Sequence, residues 1–154
     1  MKKLQDKVTI VTGAGGGFGE GIALHFAELG AKVVVADLRA DAAQQVAAAI
    51  EAAGGQALAV HADVTSDASV KAMVAATLTR FGRLDILINN AGTTHKNQPM
   101  LDVDEATFDR VYATNVKSIY LGARHAVPVM RAQGSGVIVN IASTAGLRPR
   151  PGVC

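Results

Sequence analysis

The sequence predicts an α/β fold, a doubly wound parallel sheet with helices on both faces and three layers in all. Two observations carry that expectation. Five short runs of β-branched and apolar residues, Val8–Val11, Val33–Ala36, Ala57–Val60, Leu84–Ile88 and Val137–Ile141, show no alternation of apolar with polar positions. Strands that are apolar without interruption belong in a sheet covered on both sides, as parallel sheets are. Between the runs lie segments whose apolar residues recur at helical spacing. Strand therefore alternates with helix, and the crossovers should be right-handed.

Each helical segment can be justified in turn. Ile22, Phe26 and Leu29 stand at i, i+4 and i+7, and Ala43, Val46, Ala47 and Ile50 at i, i+3, i+4 and i+7. Val70, Met73, Val74 and Thr77 repeat the second spacing, as do Val116, Ile119, Tyr120 and Ala123. Each set predicts one apolar stripe on one helix face. Gly30 and Gly54 stand where left-handed caps would end the first two helices. Ser66 and Asp104 are candidate N-caps, and Pro128 is expected to bend the end of its helix. No linker, low-complexity segment or internal repeat interrupts the pattern, and 154 residues read as one domain.

Composition narrows the function classes. Hydrophobic residues make up 49% and charged residues 18%, which excludes a disordered tail. Fifteen Lys and Arg against 13 Asp and Glu leave a net charge of +2, too small and too scattered for nucleic acid as a main partner. The single cysteine, Cys154, excludes a disulfide within the chain and a cysteine metal cluster. The four histidines show no metal-ligating spacing, so no metal is expected. The polar start, Met1 to Lys7, is not a signal peptide, and no apolar run approaches the ~20 residues needed to cross a bilayer. A cytoplasmic protein without a membrane partner is the expectation.

In an open parallel sheet, ligands bind beyond the carboxyl ends of the strands, so the residues just past each apolar run matter most. These are Thr12-Gly13-Ala14-Gly15-Gly16-Gly17-Phe18-Gly19, Asp37, Asp63-Val64, Asn89-Asn90-Ala91-Gly92 and Ala142-Ser143-Thr144. Together they outline one cleft. Glycines let backbone N–H groups approach a phosphate closely, and the helix beginning near Phe18 aims its partial positive charge at the same place. A pyrophosphate fits there; the alternative is a glycine turn with no ligand. Asp37, 18 residues past Gly19, is placed to accept hydrogen bonds from both ribose hydroxyls of an adenosine and to repel a 2′-phosphate. Two unit charges ~4 Å apart at an effective dielectric of ~20 interact by ~4 kcal/mol. The cofactor expected is thus NAD(H) rather than NADP(H), with Arg39 as the complication and an N-cap role for Asp37 as the alternative. Asp63 could bond the adenine amino group, with Val64 supplying its amide, or could simply be a turn residue ahead of Ser66. Of Asn89 and Asn90, one could tie neighbouring strands while the other faces a ribose. His95 and Lys96 either border the substrate or are solvated.

These residues resemble those of the short-chain dehydrogenases/reductases. Thr12-Gly13-x-x-x-Gly17-x-Gly19 matches that family's glycine motif, and Asn89-Asn90-Ala91-Gly92 matches a second, more specific one. Asn115 matches its catalytic asparagine and Ser143 its catalytic serine. The resemblance spans essentially the whole chain and looks strongest to the group holding 3-oxoacyl-acyl-carrier-protein reductases and glucose dehydrogenases. It implies a Rossmann-type fold and NAD(H)-dependent hydride transfer with a small secondary alcohol or ketone. The implied cofactor-binding set is Gly13, Gly17, Phe18, Gly19, Asp37, Leu38, Asp63, Val64, Asn90, Ala91 and Gly92. Ser143 would hold and polarise the carbonyl oxygen, and Asn115 would bind a water linking the family's lysine to solvent. Taken alone, Asn115 could be a buried polar residue at a kink, and Ser143 a small loop residue. Assembly as a homodimer or homotetramer is a family expectation.

The family's Tyr-x-x-x-Lys is absent. Tyr112 and Tyr120 are the two tyrosines, and Arg124 stands four places after Tyr120. Tyr120 lies on the apolar stripe and before Ser143, so a packing role is expected. The family tyrosine comes about a dozen residues after the serine, which places it just beyond Cys154. The fifth run is too apolar for a comfortable exposed edge, so a further strand and helix would normally come next, and the sheet reads as truncated after its fifth strand. Leu147–Gly152 reads as the start of a mobile loop. A non-catalytic NAD-binding module is the alternative function. A methyltransferase using the glycine turn for S-adenosylmethionine is a third, against which Asn89–Gly92 and Ser143 argue.

Overall fold

A computed structural model describes residues 2–146 and 148; the expectations for Cys154 and for the rest of the tail lie outside them. Five strands, β1 (Val8–Thr12), β2 (Lys32–Asp37), β3 (Gln56–His61), β4 (Ile86–Asn89) and β5 (Val137–Asn140), form one sheet in the order β3-β2-β1-β4-β5. All four pairings are parallel. The order reverses at β1, where β2 lies on one side and β4 on the other, which opens a crevice at the strand tips.

Why the strands are apolar throughout is now visible. Val33 and Val35 face a core shared with α1 (Gly17–Glu28) and α2 (Ala40–Ala52), while Val34 and Ala36 face one shared with α3 (Asp67–Phe81) and α5 (Ser118–Gln133). Successive side chains point to opposite faces, and here both faces are covered. The stripes of α2 and α3 are buried as the spacing predicts. In α1 the deepest line is Gly19, Ala23 and Ala27, with Ile22 and Phe26 half-buried beside it. Small residues let the helix lie close to the sheet, and the larger neighbours flank the contact.

The stripe expected across Val116 to Ala123 is displaced. Ser118, Leu121, Gly122, Ala126 and Met130 are buried instead, and Tyr120 is 59% exposed, not packed. The face that packs is the one with the small residues: a Cβ at Gly122 would stand 2.9 Å from Asn89 Oδ1 and 3.2 Å from Leu87 Cδ2, so α5 lies close on β4 there. A π-helical turn, Ala113–Lys117, joins α4 (Glu105–Tyr112) to α5. Helix α5 runs on five residues past Pro128, to Gln133. Gly30 and Gly54 have positive φ, 94° and 81°, at the ends expected for them. The Ser66 and Asp104 side chains accept from the Ser69 and Thr107 N–H groups as caps. His125 Nε2 lies 2.9 Å from Asp67 Oδ1 and ties α5 to α3. Strand β5 is an edge among the described residues, with Val137, Val139 and Ile141 exposed. No described helix is long and apolar enough to cross a membrane.

Candidate functional site

Everything at the strand tips converges on the turn after β1. Gly13 has φ +63°, and a Cβ there would stand 2.9 Å from Ala91 Cα, so the glycine turn and the β4 loop touch backbone to backbone. At Gly19 a Cβ would run into the Gly13 carbonyl oxygen and the Asn90 amide. The turn is therefore folded tightly onto the start of α1. Helix α1 is entered from Gly16, which offers no capping side chain, whereas Ser66 caps α3 and Asp104 caps α4. Among the described residues no side chain accepts from the first-turn N–H groups of Gly17, Phe18 and Gly19, which suits an anion. That is the observation by which the chain fits a dinucleotide.

Asp37, 9% exposed, ends β2. Its Oδ2 accepts from the Gly15 N–H at 2.8 Å and its Oδ1 from the Arg39 N–H at 2.9 Å. The residue at the N-cap of α2 is Arg39, so Asp37 orients the glycine turn rather than capping the helix. Each carboxylate oxygen keeps a further lone pair for a ligand hydroxyl. Arg39 Nε stands 3.7 Å from Asp37 Oδ1. Asp63 Oδ1 accepts from both the N–H and the hydroxyl of Thr65, at 2.9 and 2.7 Å. No hydrogen bond among the described residues engages its Oδ2.

Both asparagines tie strands together. Asn89 Nδ2 donates to Asn140 Oδ1 at 2.8 Å, linking β4 to β5. Asn90 Nδ2 donates to the Thr12 and Gly13 carbonyls at 2.9 and 3.2 Å, linking β4 to the glycine turn. The Nδ2 groups of both are therefore engaged within the protein, while Asn89 and Asn90 also line a cavity. Thr12 Oγ1 completes the knot by accepting from the Asn90 and Ala91 N–H groups, each at 3.1 Å.

Two cavities of about 480 Å³ each meet at Ala91, Gly92 and Thr93. One is walled by Gly13, Asp37, Leu38, Asp63 and Val64, with Arg110 and Thr114. The other is walled by Asn90, Asn115, Asn140, Ile141 and Ser143. The expected residues are therefore brought together, except that Gly17, Phe18 and Gly19 wall neither cavity, and Phe18 is 86% exposed. Asn115 sits in the π turn, half-buried. Its Oδ1 accepts from the Thr93 N–H and its Nδ2 donates to the Thr93 carbonyl, both at 2.8 Å. Ser143 Oγ is exposed and accepts from the Ala145 N–H at 3.1 Å. His95 is buried, its Nδ1 2.7 Å from the Lys96 carbonyl. Thr93, Arg110, Thr114 and Asn140 escape sequence reasoning because nothing in their spacing marks them. The Thr93 contacts span 17 to 22 residues of chain, and only the folded backbone makes them.

The strand order and the constellation at the tips define a Rossmann-type α/β protein. The family profile of short chain dehydrogenases matches residues 7–154, and the chain belongs to that family. A 4-formylbenzenesulfonate dehydrogenase of Comamonas testosteroni is 50% identical over 150 residues, covering 97% of this chain and 60% of that protein. The 7alpha-hydroxysteroid dehydrogenase of Escherichia coli is 41% identical, covering 93% and 55%. Among solved structures, a 3-ketoacyl-(acyl-carrier-protein) reductase from Brucella melitensis complexed with NADH superposes with a TM-score of 0.93 at 46% identity, covering 98% of this chain and 63% of that one. A 7 alpha-hydroxysteroid dehydrogenase complexed with NADH and 7-oxo glycochenodeoxycholic acid gives 0.92 at 40%, covering 97% and 58%. The chain spans roughly three fifths of the length of the curated relatives it matches.

Proposed function

We propose that this chain is a single dinucleotide-binding domain portion of an NAD(H)-dependent oxidoreductase acting on a secondary alcohol or ketone. The observation that carries the reading is the pairing of an uncapped α1 with an ordered Asp37 at the next strand tip. Two structural relatives complexed with NADH support it. A bound nicotinamide supplies the hydride donor or acceptor. The chain supplies the rest. The N–H groups of Gly17 to Gly19 face the diphosphate. Asp37, held by two backbone N–H groups, accepts from the adenosine ribose. Asp63 and Val64 take the adenine edge. Ser143 Oγ donates to the substrate oxygen, and Asn115 fixes the loop between the two cavities through Thr93.

Asp37 also sets the cofactor preference. It is buried and fixed, while the Arg39 side chain is 67% exposed and its charge is screened by solvent. Even half of ~4 kcal/mol exceeds a tenfold preference for NAD(H). The substrate is a small molecule, such as a 3-oxoacyl thioester, a sugar or a small alcohol, and the protein works as a cytoplasmic homodimer or homotetramer. No Tyr-x-x-x-Lys occurs in the 154 residues, so this polypeptide by itself should bind cofactor without useful turnover. Titration with NADH and NADPH, alongside a turnover assay, tests the reading. Tighter NADPH binding defeats the cofactor assignment, and turnover at the rate of an intact dehydrogenase defeats the assignment of roles.

A further inference from the structure

Arg110 lies in the last turn of α4, just before the helix widens into the π turn. Its Nη1 donates to Thr93 Oγ1 at 3.2 Å. Thr93 is also held by Asn115 at both its N–H and its carbonyl. Three atoms of one loop residue are thus fastened to the α4–α5 helix, and Arg110 itself lines the Asp37 cavity. There it is the only cationic side chain among the described residues of that wall. Arg39 stays outside the cavity, its Nη2 3.4 Å from the Gly15 carbonyl. Leu38 enters the same cavity from the end of β2, and Arg110 from beyond β4, with the tip of β1 between them.

A guanidinium is planar, delocalised and weakly hydrated, so it lies well against an aromatic face. The diphosphate is not its target, because the α1 N–H groups lie by the glycine turn and wall neither cavity. We infer that Arg110 takes the face of the purine in the adenosine half of the dinucleotide, a binding role that rests on the function proposed above.

Nucleotide halves separate this role from a general one. In the intact protein, Arg110→Ala should weaken AMP and NADH alike, by roughly 2- to 30-fold, and leave reduced nicotinamide mononucleotide unchanged. Arg110→Lys, which keeps the charge and loses the plane, should recover less than half of that loss. Arg110→Gln repeats the measurement should the alanine variant fold poorly. Unchanged AMP affinity in Arg110→Ala, equal weakening of all three ligands, or full recovery by lysine overturns the inference. Wild-type protein that binds AMP but not NADH overturns the dinucleotide reading and not the purine contact; binding of neither overturns both.

Discussion

At the amino ends of the strands Asp85 is only 4% exposed, and both of its oxygens are engaged by the protein. Oδ2 accepts from the Val8 N–H at 2.9 Å and from Arg83 Nε at 2.8 Å. Oδ1 accepts from Arg83 Nη2 at 2.6 Å, with Lys7 Nζ at 3.7 Å. At the carboxyl ends Asp37 accepts from the N–H groups of Gly15 and Arg39, with the exposed Arg39 Nε at 3.7 Å, and Asp63 accepts from Thr65; both line a cavity. One end of the sheet closes its carboxylate on Arg83, Lys7 and a backbone N–H, and the other turns its carboxylates to a cavity. The difference teaches that an aspartate at a strand end is not by itself a site. What matters is whether cations of the chain already saturate it.

The largest test of that contrast is Asp85→Ala. It leaves the buried Val8 N–H without its acceptor, while the half-exposed Arg83 guanidinium can turn to water, and should cost about 2 kcal/mol in denaturant unfolding while leaving NADH affinity intact. The same carboxylate makes stability depend on pH. Burial pushes the Asp85 carboxyl up, but the Arg83 hydrogen bond, the Val8 N–H and the charges of Arg83 and Lys7 together hold it below its ordinary 3.8. A folded pKa below the unfolded one stabilises fully above the unfolded value and is lost as pH falls through the folded one. Wild-type stability should therefore fall more steeply than that of the variant below pH ~3.8.

Gly19→Ala is the counterpart at the other end. Its Cβ meets the Gly13 carbonyl, so the turn must shift. NADH affinity measured by fluorescence should drop by roughly 30-fold, about 2 kcal/mol. Asp37→Ala should erase the preference for NADH over NADPH, a change of roughly tenfold or more in the ratio of the two dissociation constants, with some loss of thermal stability because the Gly15 and Arg39 N–H groups lose their acceptor. The smallest effect is expected for Ser66→Ala, which removes the α3 cap and should cost about 1 kcal/mol by thermal unfolding. A Gly19 or Asp37 variant that loses stability as Asp85→Ala does, without losing affinity, would erase the contrast between the two ends.

How much of the molecule is legible in its sequence depends on contact range. Strands β1 to β5, the α2 and α3 stripes, and the caps at Ser66 and Asp104 arise from local pattern, and the sequence shows them. The site residues marked by strand-end position, Gly13, Asp37 and Asp63, share one cavity for the same reason. The π turn is not legible, because nothing in Ala113–Lys117 announces an extra residue, nor is the close seat of Gly122 on β4 that leaves Tyr120 outward. That one of Asn89 and Asn90 ties strands is legible, but not that both do, nor the grip of Asn115 and Arg110 on Thr93. Such contacts depend on which loops the sheet order makes neighbours.

The central claim is that the strand tips hold an adenine dinucleotide. The direct measurement is a crystal structure of the protein grown with saturating NADH. The account predicts the diphosphate against the N–H groups of Gly17 to Gly19 and the adenosine in the cavity of Asp37 and Asp63. Density for NADH at any other surface, or an open cleft left empty at saturation, contradicts it.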